Sequence, residues 1–143
     1  MEDRIRQFEV LCRQRGLPLT VQRRQIFEAV LGRNDHPTAD QVYESVKDRV
    51  PGLSRTTVYR VLDALVTLGV IRRVHHPGAS ARYDGKIRRH HHLVCGQCHK
   101  VLDLDDAALS ALPLPQQGLQ GFEIDDYVVQ FVGTCAQCKR EAQ

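Results

Sequence analysis

Nothing in this sequence reads as a membrane segment. No apolar run approaches the about 20 residues that a bilayer-spanning helix needs, and no basic-then-apolar leader pattern is present. The expectation is a soluble, cytoplasmic protein with no membrane partner. Internal repeats and low-complexity stretches are missing as well, which argues against a repeat architecture. So are a glycine-rich phosphate loop and a nucleophile motif, the usual marks of a hydrolase or kinase. Cysteine is scarce, five in 143 residues. In a reducing compartment that number reads as metal ligands plus one spare thiol, not as a disulfide framework.

What is present is unevenly distributed. Residues 1–89 carry 17 Lys and Arg against 10 Asp and Glu, a net +7, while residues 90–143 carry 3 against 7, a net −4. A basic front half fits a polyanionic partner, nucleic acid first of all, although many ordinary soluble domains are mildly basic. A chain of this length forms one compact domain or two small ones, and small domains gain from a metal staple or a dimer interface.

The first half predicts four helices and a hairpin. Residues 3–15 space Ile5, Phe8, Leu11 and Cys12 at helical intervals and stop at Gly16. Cys12, the spare thiol, falls on the apolar side and is expected to be a buried core residue. Thr20 is placed to cap a second helix bearing Ile26, Phe27, Val30 and Leu31, ended by Gly32. Thr38 and Gln41 match a capping box that opens a third helix, with Val42, Tyr43 and Val46 inward. Ser54 caps a fourth over 55–68, with Val58, Val61, Leu62, Leu65 and Leu68 on its buried side and Gly69 at its end. Two β-like runs, 70–75 and 81–84, flank Pro77-Gly78 as a hairpin. Helices followed by a short hairpin are the order of a winged helix-turn-helix. In the second half, residues 92–95 and 100–104 read as strands, 105–112 as a short helix stopped by Pro113 and Pro115, and 122–132 as one long strand. The expected division is a winged-helix domain over 1–84, a hinge over 85–91, and a second domain over 92–143.

The fourth helix turns Arg55, Thr56, Tyr59 and Arg60 away from its apolar stripe, with Thr57 beside them in the same first turns. Recognition helices read base edges mainly from their N-terminal turns. Arginine pairs with guanine edges or phosphate, while Thr and Tyr supply hydroxyls and contact thymine methyls. Arg72, Arg73 and Arg82 on the hairpin suit a wing lying along the phosphate backbone. An ordinary solvated helix face would carry similar residues, and the order of elements is what favours duplex DNA.

Two CxxC units, Cys95-Gly-Gln-Cys98 and Cys135-Ala-Gln-Cys138, supply four thiolates in short-spaced pairs, enough to close a tetrahedral zinc site. His90, His91 and His92 precede the first unit and cannot also join a filled shell. On an extended segment His90 and His92 share one side and His91 takes the other. With Asp103, Asp84 and His36 they would make a site of three imidazoles and two carboxylates fed from both halves. That donor set suits Fe(II) or Mn(II) better than a thiolate cage does, although affinity alone still favours zinc or copper. A solvent-exposed His-rich linker is the plain alternative. His75 and His76 belong to that class, and His99 inside the zinc turn is not needed as a ligand.

Taken together, Thr20-Val-Gln-Arg23, His36-Pro-Thr-Ala-Asp40, Ser54-Arg-Thr-Thr-Val-Tyr-Arg60, Arg82-Tyr-Asp84, the stretch from His90 to Cys98 and the final cysteine pair resemble the Fur (ferric uptake regulator) family of metal-responsive repressors. The resemblance spans nearly the whole chain. It implies an α+β homodimer, with an N-terminal winged helix on an inverted-repeat operator and a C-terminal α/β dimerisation domain carrying a four-cysteine zinc site. It implies a structural zinc on Cys95, Cys98, Cys135 and Cys138, and a regulatory Fe(II) or Mn(II) on His36, Asp84, His90, His92 and Asp103. Asp at 103, where iron-sensing members typically have Glu, is similar to the peroxide-sensing PerR branch, and Asp84 fits that branch too. There, hydrogen peroxide is the signal and a ligand histidine is oxidised, which makes His36 and His90 the candidates. An iron- or manganese-responsive repressor without peroxide sensing is the alternative within the family.

The chain departs from the family pattern where Tyr127 and Arg89 replace frequent histidines, so an additional metal site found in some members is not expected, leaving two metals per protomer. Pro18 also replaces a residue near the first helix that is frequently basic in the family, a change expected to alter a phosphate contact. Outside the family, two histidines and a carboxylate resemble the facial triad of a non-haem iron enzyme. Further ligands would fill its open positions, and the expectation is no enzyme. A zinc-ribbon interaction module without DNA binding is the remaining rival.

Overall fold

The computed structural model describes residues 1–142. It divides into two compact units, Met1–Ile87 and Arg88–Gln143. No helix among the described residues is long and apolar enough to cross a membrane.

In the first unit, α1 (Glu2–Gln14), α2 (Val21–Leu31), α3 (Ala39–Val46) and α4 (Arg55–Thr67) lead into the antiparallel hairpin of β1 (Arg72–Val74) and β2 (Arg82–Asp84). The helices start where side-chain oxygens can take up their first orphan amides. Thr20 accepts from the Arg23 amide, Thr38 and Gln41 close a full capping box, and Ser54 accepts from the Thr57 amide. At the far end of α4 the Val70 amide reaches back to the Leu65 carbonyl, and Gly69 takes φ 77° to make that turn. This is the left-handed stop that glycine adopts without a Cβ penalty.

One hydrophobic core follows from this spacing. Phe8, Ile26, Phe27, Val30, Val42, Val58, Leu62, Leu65 and Ile71 are buried in it, with Phe8 and Phe27 in ring contact at 4.7 Å. Cys12 sits in the same core, 1% exposed. Burial holds its thiol up in the protonated form. Arg4 has no role legible in the sequence. From α1 its guanidinium donates to the Gly85 and Val70 carbonyls, both at 2.7 Å, so it ties the two ends of the wing hairpin to the first helix. Gly85 is required there: a Cβ would come within 3.0 Å of the Leu31 side chain and 3.3 Å of its Cα.

The second unit is built on a three-stranded sheet in the order β4 (Val101–Leu104), β3 (His91–Cys95), β5 (Gln130–Gly133), with β3 antiparallel to β4 and parallel to β5. The short helix α5 (Ala136–Glu141) ends it. The two expected strands around the first CxxC are present. Two other expectations fail. The long strand over 122–132 contracts to Gln130–Gly133, because 122–129 has no ladder partner among the described residues and leaves Phe122 at 76% and Val128 at 54% exposure. The helix over 105–112 contracts to a single 3-10 turn, Leu109–Ala111. Of these eight residues all but Leu109 face solvent, and with a proline next they bury too little to offset the cost of helix nucleation.

Candidate metal centres and nucleic-acid interface

The cysteines converge from both ends of the second unit. Cys95 closes β3, Cys98 lies in the following turn, and Cys135 caps α5 three residues before Cys138. Cys95 and Cys138 bring their sulfurs to 3.8 Å, as do Cys98 and Cys135. Zinc–sulfur bonds of about 2.3 Å place tetrahedral sulfurs about 3.8 Å apart, so the thiols stand as the ligands of one ion would. All four ligand atoms lie within 4.8 Å of one another. Backbone amides of Cys98, Cys135 and Gln97 aim at Cys95 and pull its thiol down to about 6, while sulfur neighbours, Cys135 first, push Cys138 up to about 12. The cluster thus shares protons among its sulfurs, and a dication replacing them satisfies every thiolate at once.

A second donor set lies at the opposite end of β3, from His90 just before it, His92 within it and Asp103 on β4. The His90 Nδ1 stands 2.8 Å from the Arg88 carbonyl, which only accepts, so Nδ1 carries the proton and Nε2 presents its lone pair. That Nε2 is 3.1 Å from His92 Nε2 and 3.4 Å from an Asp103 carboxylate oxygen, and His92 Nε2 is 3.6 Å from the same oxygen. Metal–ligand bonds of about 2.1 Å put neighbouring donors about 3.0 Å apart in an octahedron and about 3.4 Å in a tetrahedron. The two imidazoles and the carboxylate therefore describe one face of a coordination shell. Register explains the meeting: Asp103 on β4 lies directly across from His92 on β3.

The first unit holds its own pair. His36 Nε2 is 3.3 Å from Asp84 Oδ2, and both residues are buried. His36 adopts φ 54°, a left-handed conformation rare outside glycine. Hydrogen bonds to the neighbouring backbone hold that geometry. Arg82 donates to the His36 carbonyl at 3.0 Å, and the Tyr83 amide to the Pro37 carbonyl at 2.9 Å. Asp84 is oriented in turn by the Lys86 amide at 2.9 Å. Arg82, expected from the sequence on the wing, thus also secures this histidine's backbone.

On α4, Arg55, Thr56, Tyr59 and Arg60 are exposed, Tyr59 at 47%. Arg55 stacks 4.5 Å over the Tyr43 ring and pairs with Asp40 at 3.5 Å and Glu44 at 3.3 Å on α3. Thr57 is half-buried, with its hydroxyl 2.9 Å from the Ser54 hydroxyl in the helix cap. Of the hairpin arginines, Arg73 pairs with Asp63 and Arg72 donates to the Ile87 carbonyl at 2.6 Å. His75 and His76 lie in the turn between β1 and β2.

Known proteins resemble this chain in sequence and in fold. The model of the ferric uptake regulator family matches residues 14–132. The peroxide-responsive repressor PerR of Staphylococcus epidermidis is 27% identical over 129 residues, covering 90% of this chain and 86% of its own. The ferric uptake regulator Fur of Helicobacter pylori, a protein with three functional metal-binding sites, superposes with a TM-score of 0.80 at 18% identity, over 96% of this chain and 93% of that one. A zinc uptake regulator in complex with zinc and DNA superposes with a TM-score of 0.64 at 21% identity, over 99% and 97%. The chain belongs to the ferric uptake regulator family.

Proposed function

We propose that this protein is a metal-dependent, DNA-binding transcriptional repressor, acting as a homodimer on an inverted-repeat operator. The observation that carries the reading is the convergence of His90 Nε2, His92 Nε2 and one Asp103 oxygen, with the His90 tautomer already set for ligation. Three donors are too few for the five- or six-coordinate shell that Fe(II) or Mn(II) takes, and His36 with Asp84 supplies the two that are missing. The five residues are proposed to form one regulatory site, and the four cysteines a structural zinc site.

Because the donors come from both units, metal occupancy selects the arrangement in which the recognition helices of a dimer, with Arg55, Thr56, Thr57, Tyr59 and Arg60, meet successive major grooves. Moving such an equilibrium almost fully from one state to the other takes about 5.5 kcal/mol of differential metal affinity, within reach of a multi-ligand site. Members of this family are regulators, and filling the shell with five protein ligands opposes the enzyme reading. The exposed apolar side chains that share one face of the second sheet, Leu93, Leu102 and Phe131, support a partner protomer covering that face.

The finer reading is peroxide sensing. Asp at 103 and the likeness to a peroxide-responsive repressor support it. In it, His36 or His90 gains oxygen, ceases to be a good ligand, and operator affinity falls. The test loads the protein with Fe(II) or with Mn(II), adds hydrogen peroxide, and follows operator binding together with the mass of the peptides holding His36 and His90. Loss of binding with Fe(II) alone, with a gain of about 16 Da (one oxygen) on either peptide, supports the sensor. Indifference to peroxide in both forms makes the protein an iron- or manganese-responsive repressor.

A further inference from the structure

The two histidines that point at the regulatory site are flanked by residues pointing the other way. Strand alternation sends Arg89 and His91 to the face opposite His90 and His92. On that face they meet Tyr127, which returns from the far end of the chain. The Arg89 guanidinium lies 4.5 Å over the Tyr127 ring and pairs with Asp126 at 2.7 Å. His91 stacks on the same ring at a centroid distance of 6.0 Å and an interplanar angle of 20°.

The polar atoms of this group are engaged with the protein itself. The Tyr127 hydroxyl donates to the Leu109 carbonyl and accepts from the Leu112 amide at 3.0 Å, so it bonds both ends of the 3-10 turn. His91 is 0% exposed. Its Nδ1 takes the Val129 amide at 3.0 Å, which requires the ring proton on Nε2, and that nitrogen stands 3.2 Å from the Ser110 hydroxyl. The backbone closes the same loop: the His92 amide donates to the Val129 carbonyl at 3.0 Å. Two segments remote in sequence, residues 109–112 and 126–129, are thereby fastened to the short stretch that carries both metal-facing histidines.

We propose that Arg89, His91 and Tyr127 form a metal-free clasp whose task is to position His90 and His92 for the regulatory metal. The inference rests on the reading of those two histidines as ligands. It explains why a second unit with few buried apolar side chains holds two imidazole nitrogens 3.1 Å apart. It also gives His91, which faces away from the ligands, a role as a positioning residue. Groups behind ligating histidines commonly change metal affinity about 10–100-fold when removed.

The test measures Mn(II) affinity of the zinc-retaining full-length protein by electron paramagnetic resonance, for wild type, Arg89→Ala, Arg89→Lys and Tyr127→Phe. Melting temperature, zinc content and amide exchange are recorded beside it. The expected result is a loss of about tenfold or more in Mn(II) affinity for Arg89→Ala, a smaller loss for Tyr127→Phe, and partial recovery in Arg89→Lys, with zinc content unchanged. In the wild type without Mn(II), the Val129 amide exchanges slowly and nitrogen shifts place the His91 proton on Nε2. Mn(II) affinity within twofold of wild type for both Arg89→Ala and Tyr127→Phe overturns the clasp and leaves the ligand reading intact. If Arg89→Ala loses its zinc, Tyr127→Phe and the Val129 amide decide, and fast exchange at Val129 overturns it as well. If the wild type takes up no Mn(II), the ligand reading falls and the clasp with it.

Discussion

The two units solve the same problem with different materials. The first unit buries aliphatic and aromatic side chains from all four helices in one core, and its polar groups act mainly at caps and turns. In the second, the buried apolar side chains among the described residues are Val94, Cys95, Val101 and Cys138, so half of them are thiols. The other buried groups there are His90, His91 and His92. A domain with so little apolar burial cannot rely on the hydrophobic effect alone. Its sulfurs and imidazoles, which look like functional decoration, are its interior. The lesson is that the second unit builds its interior largely from the side chains proposed as metal ligands, whereas the core of the first unit is apolar and needs no metal to close.

The sharpest way to break this contrast is to remove zinc. Structural zinc contributes about 10–16 kcal/mol in small zinc-dependent folds at neutral pH. Stripping it with a chelator, or substituting Cys138→Ala, is expected to abolish amide protection throughout residues 88–142 while α1 to α4 keep theirs. Hydrogen exchange read by mass spectrometry separates the two, and equal loss in both units ends the comparison.

The reciprocal change is Phe27→Ala, which empties a fully buried position in the first core. About 3–5 kcal/mol of that unit's stability is lost, seen as an earlier first transition in calorimetry, with zinc content unaltered. A smaller effect is expected at the helix starts. Ser54→Ala removes the oxygen that takes the Thr57 amide and costs about 1 kcal/mol, and Ser54→Gly costs less. Smallest of all is Arg24→Gln. Its ion pairs with Glu28 and Glu9 are solvent-exposed, and the melting temperature stays within error.

The contrast also governs how much is legible in the sequence. The first unit can be read almost element by element, since helical spacing and side-chain caps are local signals and Thr20, Thr38 and Ser54 each start a helix. The four cysteines and the five residues proposed as ligands of the second site stand out in the sequence by residue type, spacing and resemblance. What escapes depends on chain segments returning from far away. The segment over 122–132 is rich in β-formers, yet a strand exists only where a neighbour pairs with it, at Gln130–Gly133. Arg4 and Arg82 carry no local sign that their guanidiniums will hold backbone carbonyls. Tyr127 stands out in the sequence only for the histidine it replaces, and its bonds to the 3-10 turn depend on a fold that no window of sequence contains.

The central claim is that ligands from both units make DNA binding answer to metal. It is tested most directly by operator affinity, followed by fluorescence anisotropy at fixed salt, in zinc-replete protein titrated with Mn(II). Wild type is expected to tighten by at least about tenfold. Asp103→Ala and His36→Ala, one ligand removed from each unit, are expected to show no response while remaining dimeric. Equal operator affinity with and without Mn(II) in the wild type, or an undiminished response in either variant, would contradict the account.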